Sequence, residues 1–243
     1  MRHQTGIYAA VLAGGTGSRM GDTERPKQFM LVDGRPVLMY SVMTFAEEDV
    51  FDAVLVLCPQ EWMEHAENLI KTYLPDVGER VVVLPGGETR NETIMRAIDY
   101  IDARGRLDED TILLTHDAAR PFVNSRIIRD NIDAVRETGA CDTVIPATDT
   151  IVTSEDGKTI SGIPERRRMY ASQTPQTFRA MKLRSLYESL TEEERDTLTD
   201  ACRIYVMKGE PVSIAEGGTD NIKITYRQDL AVAEALLHAR VRE

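Results

Sequence analysis

Short apolar runs alternate with segments that carry apolar residues at helical spacing along most of the 243-residue chain. The apolar runs are rich in β-branched residues, as buried strands are, and they occupy residues 7–13, 53–58, 80–84, 111–115 and 143–147. The helical segments between them are 36–48, 61–74, 90–103 and 125–138. This order predicts an α/β fold with a mostly parallel sheet flanked by helices, whose ligands bind beyond the carboxyl ends of the strands.

The alternation breaks at residues 149–164, where polar and β-branched residues surround Asp156-Gly157. Asp-Gly is a strong hairpin turn signal, so this segment predicts a projecting β-arm. An isolated hairpin is only marginally stable in water, and a second copy of the arm in a two-fold dimer is its simplest partner. The remaining chain predicts helices at 180–189, 200–207 and 227–240 and strands at 212–215 and 222–225. We see no internal repeat or flexible linker, and we expect residues 1–243 to form a single domain.

Composition and charge narrow the classes of protein that fit. The net charge is −11, from 29 Lys and Arg against 40 Asp and Glu, which disfavours general binding to nucleic acid. No apolar run approaches the ~18 residues of a membrane span, and the first residues do not read as a signal peptide. Cys58, Cys141 and Cys202 are scattered without metal-ligand spacing, which suits a reducing compartment. We expect a cytoplasmic protein with neither nucleic acid nor a membrane as its partner.

A glycine-rich turn follows the first predicted strand. Gly14, Gly15 and Gly17 let backbone N–H groups approach a polyphosphate, and Arg19 and Lys27 add positive charge nearby. The third glycine of a dinucleotide-binding turn and the Gly-Lys-Ser/Thr of a Walker A loop are both missing, so those two classes are excluded. The turn is a candidate phosphate site; the alternative is a plain glycine turn whose Arg and Lys are solvated.

Five motifs in order make the chain resemble a known family. The first is Leu12-Ala13-Gly14-Gly15-Thr16-Gly17-Ser18-Arg19-Met20 with Pro26-Lys27-Gln28. The others are Gly86-Gly87-Glu88-Thr89-Arg90 with Thr93, His116-Asp117-Ala118-Ala119-Arg120-Pro121, Thr174-Pro175-Gln176 with Phe178, and Asp220-Asn221-Ile222-Lys223. They are similar to the motifs of nucleotide-sugar pyrophosphorylases, and in particular of the polyol-phosphate cytidylyltransferase family, over nearly the whole chain.

The resemblance implies a Rossmann-like nucleotidyltransferase fold of the glycosyltransferase-A kind. It also implies an Mg²⁺-dependent reaction in which CTP and a polyol phosphate give a CDP-polyol and diphosphate. The implied catalytic residues are Arg19 and Lys27, and the implied nucleotide contacts are Leu12, Ala13, Gly14, Gly15, Gly17, Gly87, Glu88 and Thr93. The implied acceptor contacts are Arg120, Thr150, Arg166, Thr174 and Lys223, and the implied metal ligands are Asp117 and Asp220. In relatives the arm crosses to a second subunit, which implies a homodimer through residues 149–164.

Several of these residues have a simpler interpretation. Asp117 follows a predicted strand, where a carboxylate can bind Mg²⁺ that bridges phosphates, or it can cap the following helix. His116 lacks a paired ligand spacing, so we expect a packing role. Arg166 begins the densest basic cluster, residues 166–168, and at least one of these arginines is expected to be solvated. Cys202 is expected to be an inert thiol, because direct phosphoryl transfer needs no protein nucleophile.

Two acceptors are open within the family, D-ribitol 5-phosphate for teichoic-acid or capsule synthesis and 2-C-methyl-D-erythritol 4-phosphate for isoprenoid synthesis. Segments 91–95, 173–176 and 198–202 are closer to the ribitol branch. The methylerythritol branch more often has Asp-Ser-Val in the first segment and a second acid after Thr-Asp in the last. We therefore expect ribitol phosphate. A non-catalytic nucleotide-binding regulator is disfavoured, because Arg19, Lys27 and Asp117 are all present.

Overall fold

A computed structural model describes residues 5–15 and 25–240 of the chain. The strands are β1 Ile7–Leu12, β2 Leu31–Val32, β3 Arg35–Pro36, β4 Ala53–Cys58, β5 Val81–Pro85, β6 Ile112–Asp117, β7 Ala140–Pro146, β8 Tyr170–Arg179 and β9 Ser213–Glu216. The helices are α1 Val37–Glu47, α2 Met63–Tyr73, α3 Arg90–Asp102, α4 Ser125–Thr138, α5 Ala180–Glu188, α6 Glu192–Asp196, α7 Cys202–Met207 and α8 Gln228–Arg240. In these ranges no helix combines the length and the apolar character that a bilayer crossing requires.

Seven strands form one sheet in the order β5-β4-β1-β6-β8-β7-β9. Six of them run in one direction, and β8 runs against its neighbours β6 and β7. The predicted α/β class with a mostly parallel sheet is confirmed. Leu12 lies opposite both Leu57 and Asp117 in the register, so the carboxyl ends of β1, β4 and β6 meet at one edge of the sheet.

The sheet is buried on both faces because helices cover each of them. On β1, Ile7, Ala9 and Val11 pack into the cluster that includes α1, α2 and α4. Tyr8 and Ala10 point the other way, into the cluster that includes α3, α5 and α7. A strand with two buried faces reads as a continuous apolar run, which is why β1, β4 and β6 were predictable from the sequence.

Strand β8 was not predicted, and its composition explains why. It carries polar side chains at buried positions, and Pro175 lies within it. Neighbouring elements supply the partners: Thr177 donates to Asn131 of α4 at 3.2 Å, and Thr143 of β7 donates to the Pro175 carbonyl at 2.6 Å. The short pair β2–β3 and helix α6 were also not predicted. The strand predicted at 222–225 is wrong, since there the described chain forms no ladder and only the Ile224 amide reaches a neighbouring loop, at the Ala119 carbonyl.

The predicted arm lies on the surface and is less regular than a hairpin. Its turn is where the sequence places it, since Gly157 has φ +68° and the Asp156 carboxylate accepts from the amides of Lys158 and Thr159, each at 2.8 Å. Antiparallel pairing within residues 149–164 is limited to one bridge, between Thr153 and Gly162. The predicted arm therefore has its turn and one antiparallel bridge, and its role in dimerisation stays a prediction.

Candidate active site

A cavity of about 370 Å³ opens at the carboxyl ends of β1 and β6. Its walls come from the glycine turn, the segment that enters α3, the end of β6 and the chain before α8. The residues that line it are Leu12, Ala13, Gly14, Gly15, Lys27, Gln28, Gly87, Glu88, Thr89, Arg90, Thr93, Asp117, Ala118, Ala119 and Lys223. The structure thus brings together residues from four of the five motifs that carried the resemblance.

The glycine turn is anchored where β1 ends. The Ala13 amide donates to the Leu57 carbonyl at 2.7 Å, and the Gln28 side-chain amide donates to the Ala13 carbonyl. Lys27 lies along the turn, with its Cε 3.9 Å from where a Cβ on Gly15 would stand. A lysine over exposed backbone amides is suited to a polyphosphate. The predicted residues Gly17 and Arg19 lie outside the described ranges, so their roles stay predictions.

The amino end of α3 forms the second wall. Thr89 caps the helix by accepting from the Glu92 amide at 3.1 Å, and Glu92 returns the contact in a capping box. The Thr93 hydroxyl accepts from the Gly87 amide at 2.9 Å. A Cβ on Gly87 would stand 2.5 Å from the Glu92 Cβ, so this position accommodates glycine alone. The helix therefore presents its positive end to the cavity, where negative charge is stabilised.

Asp117 lies between two cations. Lys223 Nζ is 2.6 Å from its Oδ2 and Arg90 Nε is 3.3 Å from its Oδ1. Burial alone would raise the pKa of Asp117, but Arg90 first and Lys223 second outweigh it and hold that pKa well below its usual range. The carboxylate is therefore ionised at any physiological pH. The capping alternative for α4 is wrong, because Asn124 caps that helix by accepting from the Ile127 amide at 3.0 Å.

The residues around Asp117 fit a magnesium ion that is held by one carboxylate together with substrate phosphates. Within the described ranges no three His, Cys, Asp or Glu side chains cluster as a complete metal site. Magnesium is commonly held by one or two carboxylates together with substrate phosphates, and Asp117 is a carboxylate in the cavity wall. Asp117 can bind the ion once Lys223 or Arg90 no longer occupies one of its carboxylate oxygens. Asp220 precedes Lys223 in the turn before it and does not line the cavity, so its metal role stays a prediction.

Thr174 and His116 form a hydrogen-bonded chain behind Asp117. The Asp117 amide donates to Thr174 Oγ1 at 3.1 Å, and Thr174 Oγ1 lies 3.0 Å from His116 Nδ1. His116 Nε2 lies 2.9 Å from the Arg120 carbonyl, which can only accept. The proton is therefore on Nε2, and the Thr174 hydroxyl donates to Nδ1. Burial lowers the pKa of His116 to about 4, and the side chain is fully buried, which confirms the predicted packing role.

Three predicted acceptor contacts lie away from the cavity wall. Arg120 is 9 % exposed and donates to the carbonyls of Asn221 at 2.8 Å and Ser172 at 3.4 Å. Thr150 lies in the arm and Arg166 just after it; both are exposed, and Arg166 donates to the Thr148 carbonyl at 3.2 Å. Of the five predicted acceptor residues, Lys223 lines the cavity and Thr174 lies directly behind Asp117.

Sequence reasoning did not assign a role to Arg90 or Gln28, although both lie within quoted motifs. Arg90 is the first residue of α3 and reaches Asp117 across 27 positions of sequence, a contact that spacing does not reveal. The one usable signal was the capping threonine before it, which places Arg90 at the helix end nearest the strand edge. Cys202 is buried, which raises its thiol pKa well above its usual value, as expected for the predicted inert thiol.

Comparison with known proteins agrees with this geometry. The family model described as IspD, 2-C-methyl-D-erythritol 4-phosphate cytidylyltransferase, matches residues 7–239. A protein of Lactiplantibacillus plantarum named ribitol-5-phosphate cytidylyltransferase is 46 % identical over 234 residues, which cover 96 % of this chain and 99 % of that protein.

Solved structures of similar proteins share the fold. That of the 4-diphosphocytidyl-2C-methyl-D-erythritol synthase of Anaerococcus prevotii is 25 % identical, with a TM-score of 0.79 over 96 % of each chain. That of the 2-C-methyl-D-erythritol 4-phosphate cytidylyltransferase of Thermus thermophilus is 28 % identical, with a TM-score of 0.69 over 94 % of this chain and 98 % of that one. The chain belongs to the IspD family of cytidylyltransferases, which are nucleotidyltransferases.

Proposed function

We propose that this cytidylyltransferase joins CTP to D-ribitol 5-phosphate and releases CDP-ribitol and diphosphate. The observation that carries the proposal is the 46 % identity to a ribitol-5-phosphate cytidylyltransferase over nearly the full length of both chains. Similarity to the methylerythritol enzymes of known structure is lower, at 25 % and 28 %. CDP-ribitol supplies teichoic-acid or capsule synthesis, and a cytoplasmic enzyme fits that role.

The reaction brings two anions together. The phosphate of the acceptor attacks the α-phosphorus of CTP in line, a new P–O bond forms, and diphosphate leaves with the electrons of the bond that breaks. Such a reaction needs positioning and charge neutralisation rather than a protein nucleophile. Lys27 and Arg19 would neutralise the charge that develops on the α-phosphate, while the amides of Gly14 and Gly15 hold the triphosphate.

The remaining residues of the cavity are proposed to bind the cytosine base, the metal ion or the acceptor phosphate. Ala13, Gly87, Glu88 and Thr93 would frame the cytosine. Asp117 would hold Mg²⁺ together with phosphate oxygens, and the ion would withdraw charge from the triphosphate. Lys223 would then leave Asp117 Oδ2 and bind the acceptor phosphate, so the ion pair of the free enzyme keeps both groups in place until the substrates arrive.

The acceptor side is proposed to be completed by a second subunit. Ile151, Val152, Ile160 and Ile163 are between 40 % and 64 % exposed on the arm, and apolar side chains grouped on a surface favour an interface. An arm exchanged between two subunits would bury them. It would also carry Thr150 and Arg166 of one subunit to the cavity of the other, which explains why neither lines the cavity of its own chain.

2-C-Methyl-D-erythritol 4-phosphate is the second candidate acceptor, favoured by the family model that matches residues 7–239. Diphosphate release from CTP and Mg²⁺ should be measured with each acceptor in turn. We expect a kcat/KM for D-ribitol 5-phosphate at least about tenfold above that for the methylerythritol phosphate, a difference of ~1.4 kcal/mol. The reverse preference would replace the proposed acceptor, and release with neither acceptor would favour a non-catalytic nucleotide-binding protein.

A further inference from the structure

Asp142 is a half-buried carboxylate on a strand of the central sheet. It lies on β7, next to the inserted strand β8, and its register partner Gln176 is in turn opposite Thr115 of β6. The three side chains thus lie in one row across β6, β8 and β7, on the face that α3 and α7 cover. With strands ~4.8 Å apart, Asp142 is roughly 10 Å from β6, which ends at Asp117.

One carboxylate oxygen of Asp142 is held by protein groups and the other is not. Oδ1 accepts from Gln176 Nε2 at 3.0 Å and from Ser172 Oγ at 3.1 Å. Both of these hydrogen bonds from described residues reach Oδ1 and leave Oδ2 of the half-buried side chain available. The Gln176 side chain is 1 % exposed, and its Oε1 is buried without a partner on the same amide that holds Asp142.

The arginine that touches Asp117 also acts on Asp142. Burial raises the pKa of Asp142 and the negative charge of Asp200 adds to that rise, while hydrogen bonds from Gln176 and Ser172 and the positive charge of Arg90 oppose it. Arg90 Nη1 is buried without a hydrogen-bond partner, while Nε of the same guanidinium contacts Asp117. Arg90 thus contacts Asp117 directly and lies close enough to Asp142 for its charge to act there.

These unpaired groups match one kind of ligand. Asp142 Oδ2 and Gln176 Oε1 are acceptors, and Arg90 Nη1 is a donor. A hydroxyl group both donates and accepts, so a hydroxyl of a polyol can donate to Oδ2 of the half-buried Asp142, whereas a methyl or other apolar group would leave that oxygen unpaired at a cost in free energy.

We propose that Asp142, held by Gln176 and Ser172, binds the hydroxyl groups at the end of the acceptor polyol remote from its phosphate. The inference rests on the proposed function and deepens it. With the phosphate at Lys223, an extended five-carbon chain crosses β8 toward β7 and brings its terminal hydroxyl to Asp142 Oδ2. Asp142 is then a specificity-determining residue that favours a long, fully hydroxylated acceptor.

The test combines a change in the enzyme with a change in the acceptor. Asp142→Ala and the milder Asp142→Asn should be assayed with D-ribitol 5-phosphate and with 1-deoxy-D-ribitol 5-phosphate, which lacks the terminal hydroxyl. Asp142→Asn keeps an acceptor for Gln176 and Ser172, so it guards against simple misfolding. Asp133→Ala removes an exposed carboxylate of α4 and is the matched control.

For wild-type enzyme, loss of the hydroxyl should raise the acceptor KM about 10- to 100-fold, and Asp142→Ala should raise the KM for the intact acceptor by a similar factor. When Asp142→Ala is assayed with the deoxy acceptor, the two increases in KM should not combine, because both changes remove the same contact. The KM for CTP should change less than about twofold in the variants, since Asp142 does not line the nucleotide cavity. Asp133→Ala should behave as wild type.

Two results would overturn the inference and leave the proposed function in place. One is an unchanged acceptor KM in both Asp142 variants. The other is a KM for Asp142→Ala with the deoxy acceptor that rises by the product of the two separate increases. If wild-type enzyme does not use D-ribitol 5-phosphate at all, the proposed function and the inference fall together. That result is read from the wild-type assay before any variant is compared.

Discussion

The nucleotide cavity and the arm differ in how much of their structure one chain supplies. The cavity is built from four motifs held by caps, ion pairs and a buried sheet, and its Asp117 side chain is only 13 % exposed. The arm has one antiparallel bridge and projects four isoleucine and valine side chains into solvent. Among the described residues, a single chain supplies the walls of the proposed CTP site but leaves the proposed acceptor residues Thr150 and Arg166 outside it.

This contrast follows from what each region must bury. The cavity lies where strand ends, a helix end and a glycine turn converge, and its charged residues Asp117, Arg90 and Lys223 pair with one another. The arm's apolar side chains lie exposed on its own chain, and the second subunit proposed above would cover them. Changes in the cavity should therefore act within one subunit, whereas changes near the arm should depend on the partner.

The largest effect is expected from Lys27 in the cavity. Lys27→Ala should lower kcat about 10²- to 10³-fold, the usual cost of losing one preorganised contact to developing charge, while CTP binding weakens much less. Steady-state diphosphate release at saturating substrates measures kcat, and calorimetric titration measures CTP binding. Lys71→Ala, on the exposed side of α2, is the matched control. Near-full turnover in Lys27→Ala would remove this lysine from the mechanism.

A smaller effect is expected from Asp117, whose charge we assign to the metal. Asp117→Asn keeps the shape of the side chain but removes its charge, so the Mg²⁺ concentration for half-maximal rate should rise about tenfold or more, the scale of losing one metal-ligand interaction. Asp130→Asn, which loses only a surface ion pair with Arg126, should leave the Mg²⁺ titration unchanged. Overlaying titrations for Asp117→Asn and wild type would show that Asp117 only pairs with Arg90 and Lys223.

The same contrast explains how far the sequence could be read. Strands β1, β4 and β6 are continuous apolar runs, and the glycine turn and the capping Thr89 have recognisable local patterns. The contacts that shape Asp117 join residues 27 and 106 positions apart, and no local pattern encodes them. Strand β8 was not predicted because its buried polar side chains find partners only in the folded chain, where β6, β7 and α4 surround it. The turn of the arm was predicted from Asp156-Gly157, but its pairing, a single antiparallel bridge, was not.

A separate effect, on stability and not on activity, is expected from the histidine behind Asp117. His116 has a pKa near 4 in the folded chain against 6.5 for an ordinary histidine. The unfolded chain therefore binds a proton first as the pH falls, and the contribution to stability, complete above pH 6.5, is lost progressively down to pH 4. Urea unfolding at pH 7 and pH 4 should show wild type losing about 3 kcal/mol more than His116→Gln. Equal losses in the two proteins would mean that His116 is not neutral in the fold.

The central claim is that each site takes its nucleotide residues from one subunit and its arm residues from the other. Lys27→Ala and Arg166→Ala proteins, each poorly active alone, should be mixed and allowed to exchange subunits, with exchange confirmed by native mass spectrometry. If Arg166 acts across the interface, each mixed dimer has one intact site, and activity should recover to about a quarter of the wild-type value in a random two-fold mixture. No recovery after confirmed exchange would contradict the claim and leave the arm as a clasp without a share in the site.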